Sequence, residues 1–286
     1  MERLKMELLY HYCSNQNFHS IVTGSSIWLS SLSMSNDSLE GKLVTKFILH
    51  LAQKDNLPPH HIERLSSDMN IILKRINDLG FCLSIEGDLL SQWRGYASNA
   101  SGVSIGFSKT ALTELAKKTN TTLEKVEYNR DKQIKAIKPI YSKIKQWITE
   151  KDVFAPETQG LLDTRTKTQF QKDKENAKKR YNEFILTLSA TLKHFLKLKS
   201  EAFKEEKEWR LLVKDIVSTS NLNSYRATQK SIIPYHPIKL KTPSNKIIKQ
   251  IILGPKNQTP VKTIQDFLQH NDFQDVDVIK SKASYR

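Results

Sequence analysis

The chain has 286 residues and carries 45 Lys and Arg against 30 Asp and Glu, a formal net charge of +15. Hydrophobic residues make up 38% of the chain, which is enough for a packed core and excludes a disordered polypeptide. The charge excess favours anionic ligands such as nucleic acid, nucleotide phosphates or an acidic partner protein. The alternative is that the lysines are spread over solvated faces without forming a patch.

Cysteine content and hydropathy exclude further classes. Two cysteines, Cys13 and Cys82, cannot build a disulfide scaffold or a four-ligand zinc site. No apolar run approaches the roughly 20 residues that span a bilayer, and the first nine residues lack a signal-peptide core. We therefore expect a cytoplasmic protein that does not contact a membrane.

Hydrophobic periodicity predicts strands at both ends of the chain and helices between them. The predicted strands are 7–13, 27–31, 81–85, 102–107, 123–128, 208–214, 231–240, 247–253 and 276–280. The predicted helices are 17–23, 39–54, 60–79, 89–96, 110–118 and 260–269. Ser14-Asn15 provides cap chemistry for the first helix, and Pro58-Pro59 separates the second from the third.

The segment from Arg130 to Lys199 is helical in pattern and rich in lysine. One apolar stripe recurs at spacings of three and four residues, formed by Tyr181, Phe184, Leu188, Thr191, Leu192 and Phe195. We predict a lysine-rich helical insertion at about 130–199 within a single α+β domain that covers residues 1–286.

The first candidate site motif is Tyr10-His11-Tyr12, at the end of the opening strand. Strand alternation puts Tyr10 and Tyr12 on one face and His11 on the other. A histidine there can hold an amide, a ribose hydroxyl or a phosphate. The alternative is a core histidine that bonds to the backbone.

The second motif combines small hydroxyl residues with helix-cap chemistry. Ser30 and Ser31 at a strand end suit a ligand that lies against the backbone. Asn36 and Asp37, with Glu40 downstream, are typical of a capping box before the next helix.

The third motif is Trp93-Arg94-Gly95-Tyr96. An arginine between two aromatic residues can present its planar guanidinium to a phosphate. The alternative is that Arg94 stacks on Trp93 for packing.

The fourth motif is Glu206-Lys207-Glu208-Trp209-Arg210, where a strand begins near Glu208. A carboxylate at a strand entrance, flanked by cations, can act as an electrostatic catalyst or hold a hydroxyl. The alternative is a solvated run of charges.

Weaker signals lie near the end of the chain. Tyr225-Arg226 and Tyr235-His236 could line a pocket, and 251–255 reads as a buried strand that ends in a turn. No Walker loop, Gly-x-Gly-x-x-Gly, His-Glu-x-x-His or Cys-x-x-Cys motif is present, so no metal is expected.

Together these motifs resemble a bacterial family known as domain of unknown function 2971, whose members often lie among phage-defence genes. The shared pattern is Leu-Tyr-His-Tyr, Trp-Leu-Ser-Ser with Asn-Asp and Glu40, Phe-Cys-Leu-Ser, Trp-Arg-Gly-Tyr with Gly-Val-Ser-Ile-Gly-Phe, Glu-x-Glu-Trp-Arg and Ile-Leu-Gly-Pro. It covers nearly the whole chain apart from the lysine-rich segment.

A more distant resemblance is to the ADP-ribosyltransferase fold, including DNA-modifying toxins of toxin–antitoxin pairs. It implies a mixed β-sheet core with flanking helices and NAD as substrate. In that fold His11 would hold the nicotinamide ribose or its amide, Ser30 or Ser31 would shape the nicotinamide pocket, and Glu208 would orient the ribose. Glu206 would be the outer glutamate of the pair. Chemistry alone assigns Arg94 to a diphosphate, and Tyr10, Tyr12 and Tyr96 complete the predicted binding surface.

The function expected from this resemblance is an ADP-ribosyltransferase-like enzyme that consumes NAD, as a toxin or phage-defence effector. Its acceptor would be nucleic acid or protein, and an antitoxin or defence-system protein would be its partner. The alternative is a non-enzymatic module that senses a nucleotide or nucleic acid through Arg94 and the lysine-rich helices. A nuclease is disfavoured because no carboxylate cluster suggests two metal ions.

Overall fold

The structure is a computed structural model that describes residues 7–32, 40–75, 79–154, 164–193, 196–214, 224–227, 231–240 and 247–285. Within these ranges the chain is α+β, as predicted, with ten strands, eight α-helices and one 3₁₀-helix. The strands are β1 (Leu8–Cys13), β2 (Ser26–Ser31), β3 (Leu79–Ser84), β4 (Val103–Ser108), β5 (Thr121–Lys125), β6 (Glu208–Val213), β7 (Ser224–Ala227), β8 (Ile232–Lys239), β9 (Ile248–Leu253) and β10 (Asp277–Lys280).

The helices flank these strands in the order that the periodicity predicted. They are α1 (Asn15–Gly24), α2 (Glu40–Lys54), α3 (Pro59–Arg75), α4 (Leu90–Tyr96), α5 (Lys109–Lys118), α6 (Arg130–Thr149), α7 (Lys167–Lys193) and α8 (Val261–His270), with the 3₁₀-helix at Glu201–Glu206. In the described part of the chain, every helix is too short or too polar to cross a membrane.

The chain divides into two compact units. The sheet unit comprises residues 1–34, 77–126 and 202–286, and the helical unit comprises residues 35–76 and 127–201. Helices α6 and α7 both lie inside the segment predicted to be helical, 130–199. The assignment of residues 1–286 to a single domain stays a prediction.

The sheet unit contains all ten described strands in one mixed sheet. Its main order is β10-β9-β4-β1-β3-β2-β8-β7, and β6 pairs with both β3 and β5. The β9–β10 pair is parallel, whereas the other pairs are antiparallel. Strand β3 is therefore a branch point, because it contacts three strands.

One face of this sheet, here called the core face, packs against α1, α5 and α8. Its apolar residues include Leu9 and Cys13 of β1, Ile27 and Leu29 of β2, and Phe81 of β3. Strand alternation places Tyr10 and Tyr12 on the opposite face, where Tyr12 packs with Trp93 of α4.

Side-chain caps explain where two helices begin. The Ser14 hydroxyl accepts a hydrogen bond from the Asn17 N–H, 3.1 Å away, so it caps α1 as predicted. Ser108 caps α5 in the same way. Strand β7 and the 3₁₀-helix were not predicted from the sequence. The predicted cap at Asn36 and Asp37 lies outside the described residues.

The helical unit buries the apolar stripe that was predicted on α7. Phe184, Leu188 and Leu192 are buried, whereas Phe195 lies outside the described residues. The Tyr181 hydroxyl donates a 2.6 Å hydrogen bond to the buried carboxylate of Asp68 on α3. This bond ties one end of the stripe to α3.

Candidate functional site

The sheet splits along one edge of β3. Ser84 pairs with Tyr10 of β1, whereas Gly80 pairs with Ser30 of β2. Between them, the Cys82 carbonyl accepts a 2.8 Å hydrogen bond from Nδ1 of His11. His11 thus occupies the gap between β1 and β2, with its ring stacked on Phe81 at 4.0 Å.

This contact determines the state of His11. A carbonyl only accepts, so Nδ1 carries the proton and Nε2 is left as the acceptor nitrogen of a neutral ring. Burial lowers the pKa of His11 to about 4, against the raising effect of the Cys82 carbonyl, and the charge of Arg226 lowers it further. His11 is therefore uncharged at neutral pH, with one nitrogen committed to the backbone.

Four residues on β2, β7 and β8 form what we call the Arg226 cluster: Trp28, Ser30, Arg226 and Tyr235. Arg226 Nη2 donates a 3.1 Å hydrogen bond to the Ser30 hydroxyl. The Arg226 guanidinium carbon lies 5.8 Å from the centroid of the Trp28 ring, and the Trp28 and Tyr235 rings lie 4.8 Å apart. Register places all four on the face opposite to the core face.

The charge of Arg226 lacks a carboxylate partner among the described residues. Its Nε atom is buried and makes no hydrogen bond there. Burial lowers the pKa of Arg226, although an arginine stays charged at any physiological pH. A half-buried cation with an unused N–H group beside two aromatic rings suits an anion attached to a planar ring.

Glu208 occupies a different environment from the one expected. Its carboxylate accepts hydrogen bonds from Nε and Nη2 of Arg210, at 2.8 and 2.9 Å. The exposed fractions of the two side chains are only 6% and 1%. Glu208 therefore forms one half of a buried ion pair within a single strand.

Register also separates Glu208 from His11. Tyr10 pairs with Ser84 and Ser84 pairs with Glu208, so these three side chains lie on the face opposite to the core face. His11 follows Tyr10 and stacks on a core-face residue. The resemblance gave His11 and Glu208 roles on the same ribose, but strand alternation places the two side chains on opposite sides of the sheet.

Glu206 contacts residues of β3 and α4. Its backbone carbonyl accepts a 2.6 Å hydrogen bond from the Ser84 hydroxyl, and its carboxylate accepts one from the Tyr96 hydroxyl at 3.1 Å. Lys207, with φ of 44°, turns the chain between Glu206 and β6. Its ammonium group bonds to Glu86 at 2.5 Å.

The other predicted residues are held by hydrogen bonds and strand pairing. Tyr10 donates its hydroxyl proton to Gln250. The Tyr12 hydroxyl donates to the Glu86 carbonyl and accepts from the Leu89 N–H, and burial raises the pKa of Tyr12. Ser31 pairs with Leu79 at the end of β2. These residues shape the sheet around the split.

Arg94 lies on an exposed part of α4. Its neighbour Trp93 is fully buried and donates a hydrogen bond to Asp88 at 2.7 Å. A Cβ added at Gly95 would meet no atom within 4 Å. The alternative prediction was that Arg94 stacks on Trp93. Among the described residues, no contact between the Arg94 guanidinium and the Trp93 ring is found.

Two glycines of the family motifs have a structural role. A Cβ on Gly102 would lie 2.1 Å from the Cys13 carbonyl oxygen, and one on Gly254 would lie 2.4 Å from that of Ala100. The Gly254 N–H donates to the Gly102 carbonyl at 3.0 Å. The backbones at 100–102 and at the Ile-Leu-Gly-Pro segment therefore approach too closely for a side chain at Gly102 or Gly254.

Arg226, Trp28 and Tyr235 were not selected as site residues from the sequence. The pairs Tyr225-Arg226 and Tyr235-His236 gave only a weak signal, and Trp28 read as part of a strand. No group of three or more His, Cys, Asp or Glu in the described ranges could hold a metal ion.

Fold and site together define a mixed-sheet α+β protein with a cationic, aromatic-lined cluster beside a split in the sheet. The sequence profile of the family described as Protein of unknown function (DUF2971) matches residues 92–211. The match covers 120 of the 286 residues and supports the predicted resemblance to that family. The matched range includes the lysine-rich segment 130–199, which the predicted pattern did not cover. A search of curated proteins found no match. A search of solved structures also found none.

Proposed function

We propose that the Arg226 cluster binds a nucleotide. The observation that supports this is the half-buried Arg226 cation, which lacks a carboxylate partner in the described chain and has a buried N–H group to donate. A phosphate would accept from that group in a charge-assisted hydrogen bond, and the Trp28 and Tyr235 rings offer an aromatic surface to the base. Ser30 orients the guanidinium through its hydroxyl.

Calorimetric titration tests this proposal, with ADP-ribose, AMP and inorganic phosphate as the ligands. A hydrogen bond to a charged group contributes about 1.5–3 kcal/mol, so Arg226→Gln should weaken binding of ADP-ribose by roughly 10- to 150-fold. Arg94→Gln is the matched control and should bind like the wild type. Trp28→Leu should weaken AMP more than phosphate, because phosphate has no ring to stack.

The proposal fails if the wild type binds none of the three ligands. It also fails if Arg226→Gln binds them like the wild type. A loss of binding confined to Arg94→Gln would indicate that Arg94 holds the diphosphate, as the sequence predicted.

We also propose NAD cleavage beside β3, in the manner that the ADP-ribosyltransferase resemblance implies. The observation in its favour is the position of two predicted residues beside β3, Ser30 next to Gly80 and Glu206 next to Ser84, on the face opposite to the core face. At about 3.3 Å per residue these positions extend over about 13 Å, a length suited to an extended dinucleotide.

The bond that breaks in this reaction joins the ribose C1′ atom to the nicotinamide nitrogen, which keeps the electron pair. A nucleophile of the acceptor forms the new bond to C1′ and loses its proton to solvent or a base. Glu206 would stabilise the positive charge that develops on the ribose.

Release of nicotinamide from NAD, with labelled RNA, DNA and lysate as acceptors, tests this second proposal. Glu206→Gln should abolish release while the protein stays folded. Glu208→Gln should lose activity only in proportion to its loss of fold. No release by the wild type would reject the enzyme and leave nucleotide binding standing. As a toxin or defence effector, the active protein should lower cellular NAD when expressed in bacteria.

A further inference from the structure

Helix α6 of the helical unit has one buried face and one basic face. Its buried residues are Gln133, Ile137, Tyr141, Ile144 and Ile148. Lys132, Lys135, Lys138 and Lys143 are all exposed. At about 100° per residue these four lysines fall within an arc of about 140°. We call them the α6 lysine stripe.

The charge of this stripe is poorly neutralised. Helix α6 contains six basic residues and one acidic residue, Asp131. Lys132 lies 3.8 Å from the Glu127 carboxylate. Lys135, Lys138 and Lys143 form no ion pair within the described ranges. By contrast, Lys145 bonds to Asp55 at 2.8 Å and is only half-exposed.

The chemistry of the exposed face narrows the class of partner. Ala136, Pro139 and Ser142 separate the lysines, so the face has no large apolar group to insert into a membrane. The one tryptophan of the helix, Trp147, is covered by the Lys151 ammonium group at 3.6 Å. Aromatic stacking on bases is therefore not available along the stripe.

We propose that the α6 lysine stripe binds the phosphate backbone of nucleic acid without reading its sequence. The four lysines of residues 132–143 extend about 16 Å along the helix, a distance over which duplex DNA presents about ten phosphate charges. A row of ammonium groups on a helix matches such a regular array of phosphates. This proposal does not depend on the Arg226 cluster and is tested separately.

Fluorescence anisotropy of the full chain with two labelled duplexes of unrelated sequence tests it, between 50 and 200 mM salt. Each lysine that contacts a phosphate contributes about 0.9 to the slope of log K against log salt. The fourfold Lys→Gln variant of the stripe should therefore reduce the slope by up to about 4 and bind both duplexes equally weakly. A fourfold Lys→Arg variant should retain binding and the slope.

A second fourfold Lys→Gln variant is the control, at Lys118, Lys125, Lys214 and Lys282. These lysines are exposed in the sheet unit, and the change in net charge is the same. The control should keep the wild-type slope. Equal losses in the two variants, or no binding of duplex by the wild type, would overturn the proposal. Equally tight binding of labelled polyglutamate, lost in the stripe variant, would also overturn it by indicating an acidic protein partner.

Discussion

The buried ion pair of β6 gives a quantitative test of the structure. Arg210→Met would leave the Glu208 carboxylate, only 6% exposed, without the two N–H groups that now lie 2.8 and 2.9 Å from it. Removing one partner of a buried pair costs about 3–5 kcal/mol, because the other charge stays buried without compensation. We expect the free energy of unfolding of the sheet unit to fall by this amount.

Urea unfolding followed by tryptophan fluorescence measures this effect if Trp147 is first changed to Phe. The three remaining tryptophans, Trp28, Trp93 and Trp209, all lie in the sheet unit. A double-mutant cycle with Glu208→Gln should show a coupling energy of about 1–3 kcal/mol.

The control for this cycle is Lys125→Met, at an exposed position on the neighbouring strand β5. It should change stability by less than about 0.5 kcal/mol. Additive effects of Glu208→Gln and Arg210→Met to within about 0.5 kcal/mol would refute the reasoning, as would a cost of Arg210→Met below about 1 kcal/mol.

Three further predictions concern a close backbone contact and two buried titratable groups. Gly102→Ala should destabilise the sheet unit by at least about 1–3 kcal/mol in urea unfolding, because its Cβ would lie 2.1 Å from the Cys13 carbonyl oxygen, whereas Gly95→Ala should be neutral or slightly stabilising. The pKa of His11 in the folded chain is about 4, below its ordinary value of 6.5, so the unfolded chain binds a proton first as pH falls. The free energy of unfolding should therefore fall by about 3 kcal/mol between pH 6.5 and 4. His11→Gln should remove that pH dependence. Burial raises the pKa of Asp68, so the contribution of its protonated carboxyl to the free energy of unfolding is present at low pH and is lost as pH rises through the folded pKa. Asp68→Asn should therefore be more stable than the wild type at neutral pH when unfolding of the helical unit is measured.

Strand β6 shows how much of the structure can be predicted from the sequence. Alternation of Trp209, Leu211 and Val213 predicted a strand that begins near Glu208, and the strand is Glu208–Val213. The same alternation places Glu208 and Arg210 on one face, so the sequence could also have predicted that the two side chains pair. A carboxylate with an arginine two residues along a strand is a candidate ion pair before it is a candidate catalyst.

Long-range contacts explain what the sequence could not predict. Arg226 meets Ser30 across 196 residues of chain. Strand β7 has only four residues and shows no apolar repeat, so neither its presence nor its partner could be inferred from periodicity. The gap that His11 fills exists because β3 pairs with β1 at one end and β2 at the other, which is a property of topology.

The central claim is that Arg226 receives the anionic part of a nucleotide. A crystal structure of the protein with ADP-ribose tests it most directly. We expect a phosphate oxygen within about 3 Å of Arg226 Nε, with an aromatic ring against Trp28 or Tyr235. A ligand bound at Arg94, or an Arg226 cluster that stays empty at saturating ADP-ribose, would contradict it.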